Sequence, residues 1–175
     1  MNRPSTSLHD PADSGVPLEV VDWLLARLPS ITLFSPDVAG RVPVSIAVLR
    51  GTKWELVEAM LDRMKTKDAA LQYGLFPDAQ RLNLLHYAVM SQSTDMVTLL
   101  LDRLKQQMGV PKFRSVLEAS DTDRWTPLHW ACRRGNEEIV SLLVDSGANV
   151  TARTYPMVDA PPRCDTARAR KSWNT

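Results

Sequence analysis

The chain has 175 residues, a hydrophobic content of 44% and a formal net charge of +1 at neutral pH. This apolar content suits one substantial core, and a charge so close to zero gives no general attraction to nucleic acid or to a membrane surface. No apolar run approaches the about 20 residues that crossing a bilayer requires. Residues 1–7 lack the apolar segment of a secretory signal, and two cysteines do not form a disulfide scaffold. The composition therefore favours a protein of the cytoplasm or the nucleus, with no nucleic-acid partner and no membrane insertion.

The first thirty residues divide into two predicted segments. Residues 1–15 are expected to be a flexible N-terminal segment or a degenerate half-repeat, because Pro11 falls where the hydrogen bonds of a helix should begin. Residues 16–30 are expected to form an N-terminal capping helix, because Val20, Leu24 and Leu28 lie on one helical face.

Two similar helical hairpins follow, over residues 41–64 and 82–105. In the first, the segment 43–47 leads through a turn at Gly51 to the apolar pair 56–57. In the second, Asn83 caps a short helix, and the apolar pair 96–97 opens another. A hairpin of this size has too little core to stand alone, so each unit must stack on its neighbours.

The segment 121–153 shows the same pattern most completely. Thr126 can cap a helix that begins at Pro127, where proline's missing N–H costs nothing. Leu128 and Ala131 then share a face, and Gly135 interrupts the chain before a second apolar helix. The residues that define this pattern are Thr126, Pro127, Leu128, His129, Ala131, Gly135 and Gly147.

Equivalent alanines of the repeats are separated by more residues than one helical hairpin of about 33 residues needs. The spacing is 41 residues from Ala47 to Ala88 and 43 from Ala88 to Ala131. We assign the extra length to the insertions 65–81 and 105–120, which predict elongated loops. Insertions in such stacks map to one face, so these segments are either binding loops or neutral additions.

The C-terminal residues 160–175 are predicted to be a partial repeat or a disordered tail. Cys164 to Ala167 resemble the start of another first helix, and no second helix follows. Because a stack needs a polar end cap, we expect either a fragment of a longer protein or an end that a partner or a missing chain segment covers.

The sequence shows no convincing active site, metal site or cofactor motif. His86 and His129 occupy the same repeat position, so we expect both to brace the adjacent turn by local hydrogen bonds. Cys132 takes a small, buried slot, where a thiol is inert. Asp121 and Asp123 lie two residues apart in a turn, where turn chemistry explains them better than acid–base catalysis. The glycines do not cluster as phosphate-binding loops do.

The pattern from Thr126 through Gly135 to Gly147 resembles the ankyrin repeat family, and it is weaker in the two preceding hairpins. The resemblance implies an all-α solenoid of stacked helix-turn-helix units. Each unit is preceded by a finger, which is an extended turn at about a right angle to the helices, and the insertions predict that the fingers are elongated. It further implies protein–protein recognition on the concave side, along the fingers and the first helices.

Carried over residue by residue, the resemblance assigns eight partner-binding residues: Trp125, Arg133, Arg134, Arg124, Asp123, Leu82, Met90 and Arg50. The strongest candidates among them are Trp125, Arg133 and Arg134, because tryptophan and arginine are enriched among the residues that contribute most to binding energy. The alternative is that Trp125 covers the adjacent repeat and the two arginines are only solvated. Arg124 stands where the family has a finger glycine, so a left-handed backbone there costs about 1 kcal/mol unless the finger is remodelled.

These observations favour a non-enzymatic adaptor or scaffold that binds a protein or peptide in its concave groove. The alternative is a regulatory ankyrin segment, or a truncated fragment, of a larger multidomain protein. An enzyme built on the repeats is a third hypothesis, which the missing acid–base residues disfavour.

Overall fold

The computed structural model describes residues 33–64 and 77–154, together with Arg27. Over these residues the chain forms α-helices and no strand, which confirms the all-α fold class. The predicted segments 1–15, 16–30 and 160–175 lie outside the described residues, apart from Arg27. Residues 33–64 and 77–154 contain seven α-helices, which are α1 (Pro43–Leu49), α2 (Trp54–Arg63), α3 (Leu84–Ser91), α4 (Thr94–Gln107), α5 (Val110–Leu117), α6 (Pro127–Arg134) and α7 (Glu137–Asp145).

Three helical hairpins, α1–α2, α3–α4 and α6–α7, stack in series. The first helices α1, α3 and α6 pack side by side, and α4 packs against α7 in the layer of second helices. Ala47, Ala88 and Ala131 are fully buried at equivalent positions, where a small side chain lets neighbouring helices approach. The hairpins lie within the ranges 41–64, 82–105 and 121–153, except that α4 extends two residues further.

Local signals account for where the first helices begin and end. The Asn83 side chain accepts a hydrogen bond from the amide of His86 (3.0 Å), and α6 begins with Pro127. Gln92 and Gly135 end these helices in the left-handed conformation, with φ of 60° and 73°. None of the helices that the structure describes combines the length and the apolar character needed to cross a bilayer.

The insertion 105–120 forms helix rather than the predicted elongated finger loop. Helix α4 continues to Gln107, and α5 then packs back on α4 by burying Phe113, Val116 and Leu117. These apolar residues are spaced at three and four positions, so a helix buries them together while a loop would expose them. Of the other insertion, 65–81, residues 65–76 lie outside the described part of the chain.

A nearly buried arginine joins the second helices of the first two hairpins. Arg103 on α4 donates to Glu58 on α2 at 2.8 Å and also pairs with Asp62, one helical turn further along α2. We expect Arg103→Met to lower the free energy of unfolding by about 1–3 kcal/mol, because charged hydrogen bonds are lost while both half-exposed carboxylates stay hydrated. Urea unfolding measures this effect. Arg114→Met, on the exposed side of α5, is the control, and equal losses for both variants would contradict the assigned role.

Candidate functional site

Three fingers precede the first helices at matching positions, residues 37–42, 78–83 and 121–126. Each begins with an aspartate, and we call Asp37, Asp78 and Asp121 the finger aspartates. One carboxylate oxygen of each accepts hydrogen bonds of 2.8–2.9 Å from the amides two and four residues later. The interpretation of Asp121 as a turn residue is confirmed. Its counterparts in the other two fingers were not recognised from the sequence.

The second carboxylate oxygen of each finger aspartate binds a side chain beside it. For Asp78 the donor is the Tyr87 hydroxyl, and for Asp121 it is Trp130 Nε1 at 3.0 Å. Tyr87 and Trp130 occupy the same position in α3 and α6, so the second and third fingers are each hydrogen-bonded to their own first helix. Burial, and then the hydrogen bond to Asp78, raise the pKa of Tyr87.

In the first finger, the second carboxylate oxygen of the finger aspartate takes part in an ion pair. At the matching position α1 has Ile46, which has no donor, and Arg41 of the finger itself binds Asp37 through Nε (2.8 Å) and Nη2 (2.6 Å). Burial alone would raise the pKa of Asp37, but the hydrogen bonds and charge of Arg41 outweigh it and leave this pKa lowered. The same contact raises the pKa of Arg41.

Adjacent fingers are joined through their backbones. The amide of Ala79 donates to the carbonyl of Ala39, and the amide of Thr122 donates to that of Gln80, each at 3.0 Å. His86 adds a contact from its Nε2 to the carbonyl of Trp125 (3.0 Å), which lies in the next finger. The three fingers therefore form one hydrogen-bonded row with fixed spacing.

Both repeat-position histidines brace turns, which confirms the prediction for His86 and His129. Their Nδ1 atoms accept from the amides of Asn83 (3.1 Å) and Thr126 (3.2 Å). Their Nε2 atoms also reach a backbone carbonyl beyond their own hairpin, which the sequence analysis did not predict. For His129 this is the carbonyl of Ala152, at 3.1 Å. Burial lowers the pKa of both imidazoles, against smaller raising effects of the carbonyl contacts and nearby carboxylates.

We expect stability to fall as the pH drops below about 6.5, the ordinary pKa of histidine. Because the folded protein has lowered pKa values at His86 and His129, the unfolded chain binds more protons in this range. The stabilisation is therefore fully present above the unfolded pKa and is lost as the pH falls towards the folded values. Thermal unfolding between pH 8 and pH 5 measures the slope, and His86→Gln should flatten it. An unchanged slope in that variant would contradict the assignment.

The fingers keep the left-handed backbone of the family pattern although two of them lack glycine. Arg81 and Arg124 have φ of 63° and 62°, at the position that Gly40 takes in the first finger with φ of 81°. A side chain at Gly40 would also collide, since its Cβ would lie 2.9 Å from the amide nitrogen of Ala79. The finger at Arg124 is therefore not remodelled, and it carries the strain of a non-glycine residue.

Trp125 is buried, with 6% of its surface exposed. The Arg133 guanidinium lies over its ring at 5.2 Å and over that of Trp130 at 5.6 Å, and the two rings pack at 5.6 Å from each other. In the alternative, Trp125 covers the adjacent repeat and both arginines are only solvated. Trp125 is indeed buried, but its ring contacts lie within its own repeat, and Arg133 packs on it. Its influence on the surface is indirect, because it holds the guanidinium of Arg133 in place.

The remaining predicted contact residues lie on the fingers and at the C-terminal ends of the first helices. Arg133, Arg134 and the finger residues Asp123 and Arg124 all belong to the third repeat, where all four are exposed. The rest lie on the first two hairpins: Arg50 is exposed, and Leu82 and Met90 are half-buried. Contact of these residues with a partner stays a prediction.

Cys132 does not match its expected state. It is half-buried on α6 rather than buried, and it is disulfide-bonded rather than an inert thiol. The other cysteine of the sequence, Cys164, lies outside the described residues. A disulfide removes one reason for expecting a reducing compartment, so the location in the cytoplasm or nucleus stays a prediction.

Helical hairpins stacked through a row of hydrogen-bonded fingers define a helical-repeat protein. Residues 44–154 match the family model described as ankyrin repeats in three copies. The chain belongs to the ankyrin repeat family, which confirms the resemblance seen in the sequence. Ankyrin repeats are in general protein–protein interaction modules and typically not catalytic.

Several curated proteins are similar over these repeats. The E3 ubiquitin-protein ligase KEG of Arabidopsis thaliana is 37% identical over 82 residues, which cover 46% of this chain and 5% of the ligase. The putative ankyrin repeat protein L371 of Acanthamoeba polyphaga mimivirus is 28% identical over 135 residues, covering 75% of this chain and 15% of that protein. The palmitoyltransferase AKR1 of Lachancea kluyveri is 27% identical over 117 residues, covering 50% of this chain and 16% of the palmitoyltransferase. The chain thus spans less than a fifth of each of these relatives.

Proposed function

We propose that the chain is a non-enzymatic adaptor that holds a protein or peptide on its inner surface. We define the inner surface as the exposed faces of the three fingers and of the first helices α1, α3 and α6. The observation that carries the proposal is the row of fingers, whose backbone groups are already bonded to the finger aspartates and to each other. Exposed side chains such as Asp123 and Arg124 are thereby held at fixed spacing, which lowers the ordering cost of binding.

A second candidate is that these repeats are the regulatory or binding segment of a larger multidomain protein. The comparisons support this candidate, because two of the relatives are named as enzymes and this chain matches only a minor part of their length. The inner surface then binds another part of the same polypeptide. Both candidates share one binding surface and differ in what occupies it.

Site-directed photocrosslinking in cells tests the surface directly. A benzoylphenylalanine at Arg134, on the inner surface, should crosslink to a discrete protein, and the same group at Asp95, on the exposed side of α4, should not. A crosslink to a separate polypeptide supports the adaptor. A crosslink within a longer product of the same reading frame supports the regulatory segment. Equal crosslinking from both positions would contradict the proposal.

Trp125 should be left intact in such work. Because it is buried against Trp130 and Arg133, its truncation disturbs the fold. Loss of binding in such a variant would then not show whether Trp125 contacts the partner. Combined replacement of Asp123 and Arg134 by alanine, which are both exposed, is the cleaner variant for capture experiments.

A further inference from the structure

We propose that residues 155–175 cover the end face of the third hairpin and are held there by a redox-sensitive disulfide between Cys132 and Cys164. The end face is the surface of this hairpin around Cys132 on α6 and Val144 on α7. It is distinct from the inner surface, so the proposal does not depend on whether the inner surface binds a partner. Three observations support it: partly exposed apolar residues, the path of the chain after α7, and the disulfide of Cys132.

The end face lacks the cover that the preceding hairpin has. Val89 on α3 is completely buried, whereas Cys132 at the same position of α6 is only half-buried. Leu101 on α4 is likewise buried, whereas its counterpart Val144 on α7 is half-buried. The third hairpin covers the second, because α6 packs on α3 and α7 packs on α4, and the described residues include no further hairpin after α7. Covering this apolar surface would therefore stabilise the stack.

The chain turns back to α6 before residue 155. After α7 ends, the carbonyl of Ala152 lies 3.1 Å from Nε2 of His129, in the first turn of α6. Cys132 follows His129 by three residues, which is a rise of about 4.5 Å along the helix. Cys164 lies ten residues beyond Thr154, and a chain of that length can span up to about 33 Å. Cys164 is therefore within reach of Cys132.

The disulfide identifies what covers the end face. Cys132 is disulfide-bonded, and Cys164 is the other cysteine of the sequence, so a bond within the chain joins these two residues. Such a bond requires Cα atoms within about 7 Å of each other, which holds the residues around Cys164 against α6. The same segment contains apolar side chains for the contact, namely Tyr155, Met157, Val158 and Trp173. The occupant is thus a segment of the same chain and not a second copy or another protein.

A small dithiol opens this bond by thiol–disulfide exchange. Its thiolate attacks one sulfur of the disulfide, and its second thiol then resolves the mixed disulfide. The dithiol becomes a cyclic disulfide by losing two electrons and two protons, which Cys132 and Cys164 take up as two thiols. Exchange with a small disulfide runs in the opposite direction and closes the bond. Once the bond is open, only non-covalent contacts hold the segment, so the cover loosens under reducing conditions.

Non-reducing peptide mapping of the full chain tests the bond. After the folded chain is equilibrated with oxidised glutathione, mass spectrometry should find the peptides of Cys132 and Cys164 joined to each other, in a protein that elutes as a monomer. Glutathione on both cysteines, two blocked thiols, or a bond between two copies of the chain would each overturn the proposal.

Thermal unfolding tests whether the bonded segment packs on the end face. The oxidised chain should melt at least about 5 °C above the chain reduced with dithiothreitol, because the bond restricts the unfolded chain while the packed segment is already ordered in the folded one. The Cys164→Ser variant should melt like the reduced chain and should not respond to dithiothreitol. A smaller difference between the oxidised and reduced chains means that the segment is tethered without packing, and the proposal is then wrong.

A substitution on the end face locates the contact. Val144→Asp places a charge under the covering segment, so it should reduce the melting difference between the oxidised and reduced chains at least about twofold. Leu99→Asp makes the same kind of change on the exposed side of α4 and should leave that difference intact. Because each variant is compared with its own reduced form, a general loss of stability cancels. An equal melting difference in both variants would overturn the proposed contact.

Discussion

Replacing Asp121 with alanine should lower the free energy of unfolding by about 2–4 kcal/mol. Asp121 is 5% exposed, and its carboxylate accepts from the amides of Asp123 (2.9 Å) and Trp125 (2.8 Å) and from Trp130 Nε1 (3.0 Å). Its loss leaves three donors without their acceptor and releases the third finger from α6. Denaturant unfolding, with the slope compared as well as the midpoint, measures the effect.

Asp123→Ala is the matched control, because Asp123 is exposed in the same finger, and its effect should stay within about 0.5 kcal/mol. Trp130→Phe removes the third donor together with part of the ring packing, and a double-mutant cycle with Asp121→Ala isolates the contact between the two residues. If Asp121→Ala and Asp123→Ala are equally mild, the finger is held by its backbone contacts and not by the carboxylate.

We expect His86→Ala to be at least as damaging, at about 3–4 kcal/mol. The ring is completely buried in the middle of the stack, so its removal leaves a cavity. It also leaves the Asn83 amide and the Trp125 carbonyl without their contacts to Nδ1 (3.1 Å) and Nε2 (3.0 Å). Those contacts belong to different repeats, so the second and third hairpins should loosen together. Hydrogen exchange of the amides in α3 and α6 reports whether both are affected.

The equivalent residue His129 provides an internal comparison. It makes the same kind of contacts, to the Thr126 amide and the Ala152 carbonyl, but is only half-buried. His129→Ala should therefore cost less, at about 1–2 kcal/mol. A larger loss at His129 than at His86 would mean that coupling between repeats is not what the central histidine supplies.

Most of the helical stack was predictable, because its signals are local. The apolar stripe of α6, the cap at Asn83 and the turn at Gly135 each act within one helical turn. Helix α5 was not predicted, because Gly109 and Pro111 read as a loop. In the structure Gly109 precedes the helix and Pro111 lies in its first turn, where proline is tolerated.

The candidate surface was less predictable, because burial within a finger depends on the neighbouring repeat. A finger has no helical periodicity that shows which side faces inward, so the sequence predicts a contact role for Trp125 only from its finger position in the family pattern and its residue type. The finger aspartates carry a detectable signal, the aspartate three residues before a left-handed position in all three fingers. The side chains that donate to these aspartates differ, however: they are Arg41, Tyr87 and Trp130. Only the three-dimensional contacts show that all three bind the same carboxylate oxygen of a finger aspartate.

Helix α5 lengthens the chain between the second and third hairpins without moving their fingers apart. Its residues pack against α4, while the step from the second finger to the third is set by the bond from Thr122 to Gln80. Helix α5 also contacts the second finger, since the Val116 carbonyl accepts from Asn83 Nδ2 at 3.1 Å, so only an insertion that precedes α5 is expected to leave this step unchanged. We expect the exposed residue Val110, at the start of α5, to accept an inserted domain or sensor cassette without moving the row of fingers.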